Sequence, residues 1–207
     1  MADSIIDQLS QSFIKFPGIG PRQARRFVYY LLHTNTGTVN NLLRQIVDLR
    51  KEISQCSECY RFYSTKNVNG QTNCELCSDQ NRDQSLLMVV EKDIDLENIQ
   101  KSGTYTGRYF VLGGLAPILD DHPEKTIRLQ ALETLAIKLA RQLKEIIIAL
   151  SVNPEGDYTV DILKKLLSPL VESQKLKVSL LGRGLSTGTE LEYSDPDTLK
   201  NAIKNRL

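Results

Sequence analysis

FPGIGPRQARRF, residues 16–27, sets two glycines between two prolines and then brings three arginines within five residues, with no acid among them. Glycine tolerates turn geometries that other residues resist. Proline suits the first position of a helix, where its missing N–H would be unpaired anyway. The stretch reads as a tight bend followed by a helix starting at Pro21. Upstream, Ile5, Ile6, Leu9 and Phe13 recur at helical spacing. Downstream, Ala24, Phe27, Val28, Leu31 and Leu32 form one apolar stripe. Arg22, Arg26 and Tyr29 take the opposite face, with Arg25 at its flank. A turn over 33–37 (HTNTG) leads to a third helix, with Val39, Leu42, Leu43, Ile46 and Ile53 expected inward. Residues 1–53 are therefore expected to form a helical module with a helix-hairpin-helix at its start.

The chemistry of such a bend is phosphate binding. Gly18 and Gly20 carry no side chains, so the main chain can approach an anion closely. The unpaired N–H groups at the head of the next helix point towards it, and the helix dipole adds partial positive charge. Arg22, Arg25 and Arg26, with Lys15 just upstream, supply full charges to neighbouring phosphates. Contacts of this kind position a protein on DNA without reading sequence. The competing reading is a helical hairpin whose arginines are merely solvated. Charge alone would favour that reading; the PGIG turn decides for DNA.

The remaining composition sets limits. The chain has 207 residues and a formal net charge of +1, so affinity for nucleic acid must come from local clustering. Apolar runs such as 86–90 and 146–150 fall far short of the ~20 residues of a membrane span. The N-terminal MADSIIDQLS carries acids where a secretory leader carries lysines, which predicts a cytoplasmic protein.

All four cysteines lie between residues 56 and 77. Cys56-x2-Cys59 is followed by fourteen residues and then Cys74-x2-Cys77. Two such pairs close a tetrahedral shell of four thiolates around one zinc ion, leaving no position open for substrate. The site over 54–82 is expected to be structural. Redox cysteines or two chance pairs are the alternatives, and spacing and compartment together favour zinc. Asn69-Gly70 in the insert signals a hairpin turn. Arg61, Phe62 and Tyr63 are candidates for touching nucleic acid or for a miniature core around the metal.

From residue 83 onward the pattern alternates. Strands are expected at 86–90, 109–112, 145–150 and 176–181, and helices at 126–143, 160–167 and 196–206. This predicts a mainly parallel sheet with helices on both faces. Function in such sheets gathers at the carboxyl ends of the strands. Two acidic features stand there: Glu91 with Asp93 and Asp95, and the loop Asn153-Pro154-Glu155-Gly156-Asp157. Acids so placed can hold magnesium for phosphoryl chemistry. They can equally be solvent-facing loop acids or salt-bridge partners. A catalytic site would want an Asp-x-Asp pair after the third strand, where this chain has Asn153 and Glu155.

In this order, the parts resemble the RecR family of bacterial recombination mediators. The likeness runs from FPGIGPRQARRF through CELCSD-x-NRDQSLLMVVE and SGTYTGRYFVLGGLAPILD to GRGLSTGTELEYSDPDTL. It departs where Lys92 follows Glu91 in place of proline, in a longer spacer between the cysteine pairs, and in a shortened NPEGD segment. The resemblance implies an α/β multidomain protein: a helix-hairpin-helix (1–53), a zinc finger (54–82), a Toprim α/β domain (83–175) and a C-terminal strand and helix (176–207) that completes it and helps oligomerisation. It implies a non-catalytic DNA-repair scaffold that forms a dimeric or tetrameric clamp on single- and double-stranded DNA. Such a scaffold works with RecO, and in some cases RecF, to load recombinase on single strands. It places Arg22 and Arg26 among DNA-contacting residues, and Glu91, Asp95 and Glu155 on the Toprim acids, tied to RecO contact more than to a metal. A magnesium-dependent Toprim nuclease or strand-transfer enzyme is the alternative.

Overall fold

Ser4 opens the first helix by accepting the Asp7 N–H on its hydroxyl at 3.2 Å, and α1 runs Ile5–Ile14. Pro21 takes the first position of α2 (Pro21–His33). Asn35 accepts the Thr38 N–H at 2.8 Å and starts α3 (Thr36–Glu52). The turn expected over 33–37 is thus only Thr34 and Asn35. The computed structural model describes residues 4–67, 72–119, 122–182, 184–185, 188 and 190–204; the Asn69-Gly70 turn and Arg206 lie outside them. The chain folds as two units, one ending at Ile53 and the other starting at Ser54.

In the first unit, α1 meets α2 through an edge-to-face pair, Phe13 with Phe27, at 5.7 Å between centroids. Ala24 and Val28 are buried beneath it. The rest of the expected apolar packing differs. Leu42, Leu43 and Ile46 of α3 are exposed, as are Phe27 and Leu32 of α2. Three short helices have too little facing surface to cover an apolar stripe on each.

At the junction stands β1 (Ile53–Gln55), paired with β2 (Phe62–Ser64), and the short α4 (Glu75–Ser78) follows in the second unit. Then come β3 (Asp83–Val90), α5 (Asp93–Ser102), β4 (Gly107–Val111), α6 (Leu129–Leu139), β5 (Glu145–Ala149), α7 (Pro154–Gln174), β6 (Lys177–Leu180) and α8 (Pro196–Lys204). The four later strands form one sheet in the order β4-β3-β5-β6, with every neighbouring pair parallel. Leu87 and Val89 pack with Phe110, Ile146 and Ile148 against α6 and α7. Met88 and Val90 pack with Tyr109 and Val111 against Leu96 of α5 on the other face. Burial on both faces is why 86–90 reads as an unbroken apolar run.

Three helices around the parallel sheet differ from expectation. Helix α5 is not among the expected helices: Asp93 and Asp95 are its first turn, not strand-end loop acids. Segment 153–157 is likewise no loop; Asn153 accepts the Gly156 N–H at 2.7 Å and caps α7, which extends well beyond 160–167 on both sides. Helix α6 begins three residues later than residue 126, because Arg128 is held to the sheet. Its main-chain N–H donates to Leu112 O at 3.0 Å and its Nη1 to Val111 O at 2.9 Å.

Candidate functional site

The hairpin bend is closed by main-chain bonds, Phe16 N–H to Phe13 O at 3.0 Å and Ile19 N–H to Phe16 O at 3.2 Å. Gly18 sits at φ +76°, in the left-handed region where glycine alone is at ease. A Cβ built at Gly18 or Gly20 meets nothing within 4 Å, so the bend faces open space. Gly20 is the N-cap of α2 and no side chain caps the helix. Helix geometry leaves the N–H groups of Arg22 and Gln23 without intrahelical acceptors. Lys15, Gly18, Gly20, Arg22, Arg25 and Arg26 are not buried, and the three arginines are exposed. Arg25 Nη2 lies 2.8 Å from Asp7 Oδ1, so its charge is partly met within the hairpin. The Ser4 hydroxyl, and then Arg25, hold the Asp7 carboxyl below its ordinary value. Arg22 stands in the first turn of α2 and Arg26 one turn further on.

The four cysteines come together as their spacing predicts. Their Sγ atoms all lie within 4.8 Å of one another, and Cys59 and Cys74 are 3.6 Å apart. A tetrahedral zinc with bonds of ~2.3 Å has sulfur–sulfur edges of about 3.8 Å, so the donor set fits that ion in size and type. Two tight turns build it. Tyr60 N–H donates to Cys56 O at 3.1 Å and Cys77 N–H to Cys74 O at 3.1 Å, while Tyr60 takes a left-handed φ of 62°. The Cys74 N–H points at Cys56 Sγ, 3.3 Å away. Crowding divides the sulfurs: hydrogen bonds from Cys59 and its neighbours hold the Cys56 thiol far down, and proximity to Cys56 pushes the Cys77 thiol far up. A dication between them removes that conflict. Tyr63 is buried with the cysteines; Phe62 is exposed, and Arg61 pairs with Glu75 at 2.8 Å.

The cysteine module is hooked to the parallel sheet. Val111 N–H donates to Cys59 O at 2.8 Å, and Phe62 N–H donates to Asp93 Oδ1 at 2.7 Å. Glu58, inside the first cysteine turn, accepts from Arg108 of β4 and from Lys138 of α6 at 2.9 Å. The Tyr60 ring packs edge-on to Phe110 at 5.5 Å and lies under the Arg128 guanidinium at 5.3 Å. Sequence reasoning missed Glu58, Arg108 and Asp93 as anchors. Only Glu58 had a signal that could have found it, an acid set inside a cysteine turn.

Glu91 follows β3, and Ser151 follows β5, the adjacent strand. Because β3 leads to β4 on one side and β5 to β6 on the other, they meet where the strand order reverses, the usual place for a crevice. Glu91 is 5% exposed. It accepts from the Ser151 hydroxyl and pairs with Lys92 Nζ at 2.6 Å. Burial raises its carboxyl, but Lys92 and Ser151 outweigh burial and hold it below the ordinary value. Asp95 does not join it: its carboxylate accepts the Lys92 N–H at 2.9 Å and caps α5. Glu155 is exposed in the first turn of α7. Among the described residues, the four cysteines are the one set of three or more such side chains close enough to share a metal ion. Among them too, no helix is long and apolar enough to cross a membrane.

Comparison with known proteins covers nearly the whole chain. Residues 6–50 match the model described as RecR, helix-hairpin-helix, residues 85–182 the Toprim domain, and residues 184–207 the model described as RecR, C-terminal. The recombination protein RecR of Lactobacillus johnsonii is 33% identical over 201 residues, 97% of this chain and 96% of the relative. That of Staphylococcus saprophyticus is 34% identical, with the same coverage of both chains. That of Chloroflexus aurantiacus is 34% identical over 97% of this chain and 93% of its own.

Proposed function

The chain belongs to the RecR family of recombination proteins, and from that premise we propose that it is a non-catalytic mediator of DNA repair that grips DNA as a homo-oligomer. The observation that carries this is the open, uncapped bend from Gly18 to Pro21 at the head of an arginine-bearing helix. Its N–H groups hold one phosphate, and Arg22 and Arg26, with Lys15 and Arg25 beside them, neutralise neighbours. The binding is sequence-independent and takes both single and double strands. One hairpin of this size binds weakly, with a Kd of about 10⁻⁴–10⁻⁶ M near physiological salt. Several copies in a dimeric or tetrameric clamp raise that by effective concentration.

The four cysteines hold one structural zinc ion. The strand ends around Glu91 serve contact with RecO, and with RecF where present, so that recombinase is loaded on single-stranded DNA in the cytoplasm. The pairing of Glu91 with Lys92 and Ser151 supports a role in contact over one in magnesium-dependent strand cleavage. The test is DNA binding at several salt concentrations by the full chain and by Arg22→Ala/Arg26→Ala. The double variant is expected to weaken binding similarly across sequences and to lower the salt slope by about two. An unchanged slope, or magnesium-dependent cleavage of DNA lost in Glu91→Gln, would overturn the reading.

A further inference from the structure

We infer that the exposed aromatic face of α2 is a base-stacking platform, so that the hairpin prefers single-stranded DNA, whose unpaired bases can turn onto it, over a duplex. This rests on the DNA-binding reading above and extends it from phosphate to base. The helix PRQARRFVYYLLH carries three arginines and three aromatics in thirteen residues, with no acid. Only Ala24 and Val28 are buried. Phe27, Tyr29 and Tyr30 are 42%, 49% and 66% exposed. Phe27 is braced from behind by Phe13, whereas no ring among the described residues stacks on Tyr29 or Tyr30.

Gln23, Arg26, Phe27 and Tyr30 fall at helical neighbour spacing and wall one surface cleft of about 440 Å³. That is within the ~300–1,000 Å³ of small-molecule clefts in general. A strand whose phosphate sits at the bend is led by Arg22 and Arg26 along the helix, and a base turned inward meets the Phe27 and Tyr30 rings one turn further on. Aromatic faces beside a basic track are the general device for binding single strands without sequence preference. A second copy that met this face through its own α2 would set arginine against arginine with no acid on either helix, which is costly. The charge therefore favours nucleic acid as the occupant.

The experiment uses the full-length protein and its Tyr30→Ala, Tyr30→Leu and Tyr30→Phe variants. Each is titrated against labelled oligo-dT, an abasic single strand of equal length, and a duplex. The wild type is expected to bind oligo-dT on the order of tenfold more tightly than the abasic strand. Tyr30→Ala and Tyr30→Leu should lose that margin, Tyr30→Phe should keep it, and the salt slope should stay constant throughout. Three results overturn the inference while leaving phosphate binding intact: no margin in the wild type, a margin retained by Tyr30→Leu, or a changed solution mass in Tyr30→Ala, which would make the face a contact between copies. Failure of the wild type to bind any of the three probes overturns both readings.

Discussion

Replacing Gly156 by alanine separates two physical effects of opposite sign. Gly156 lies in the first turn of α7, and in a helix alanine is ordinarily better than glycine by about 1 kcal/mol. On propensity alone Gly156→Ala should stabilise the protein. The structure predicts the reverse. A Cβ at this position would land on the Ser151 carbonyl oxygen, well inside van der Waals contact, at 3.0 Å from the Ser151 carbonyl carbon and 3.2 Å from Asn153 Oδ1. Two of these three neighbours are main chain and cannot swing away; the third is the cap that accepts the Gly156 N–H. Overpacking costs ~1–3 kcal/mol, and disturbing the Asn153 cap ~1 kcal/mol more. Less the propensity gain, the net loss is about 1–3 kcal/mol. For a protein of this size that lowers the melting temperature by roughly 2–12 °C. Thermal unfolding followed by circular dichroism measures it, with Asn153→Ala as a companion that isolates the cap. A melting temperature equal to or above wild type would refute the close approach of α7 to residue 151.

Two further outcomes are expected of the second unit. Removing metal with a chelator, or one ligand with Cys59→Ser, should lower the melting temperature sharply, because a closed thiolate site contributes directly to folding; a purified protein that holds no metal and melts identically with chelator would sink the zinc assignment. At Glu91 the sign follows from a carboxyl held low in the folded state. Its contribution is present above the ordinary value of about 4.5 and is lost as pH falls through the lowered folded value. Ser151→Ala should therefore destabilise at neutral pH, with the difference from wild type closing below about 4.5 in urea unfolding series; a difference that does not change with pH would show that the hydroxyl acts only by packing.

The parts with strong local chemistry were legible in the sequence. Cysteine spacing is set by the turn each pair must make, so the four sulfurs converge as their positions imply. Gly18 and Pro21 each have one local conformational task and perform it. Strand 86–90 declares itself because both faces are buried. What was illegible depends on partners distant in the chain. Helix α5 is hidden because its first turn is acidic, and acids there read as loop; they are in fact suited to the helix N-terminus, with Asp95 capping and Asp93 holding Phe62. The beginning of α7 was hidden by NPEG, four residues that together read as a turn. Here Asn153 is the cap, Pro154 the first helical position, and Gly156 the place where Ser151 passes too close for a side chain.

The same logic bears on Glu91. A chain that meant to hold a cation at Glu91 would leave its carboxylate open and gather others beside it. This one fills both oxygens, with Lys92 on one and Ser151 on the other, and spends Asp95 on a helix cap. Lys92 thus sets a positive charge beside the Glu91 carboxylate from within the chain. That internal neutralisation is what supports the contact role proposed above for the carboxyl ends of β3 and β5 over phosphoryl transfer.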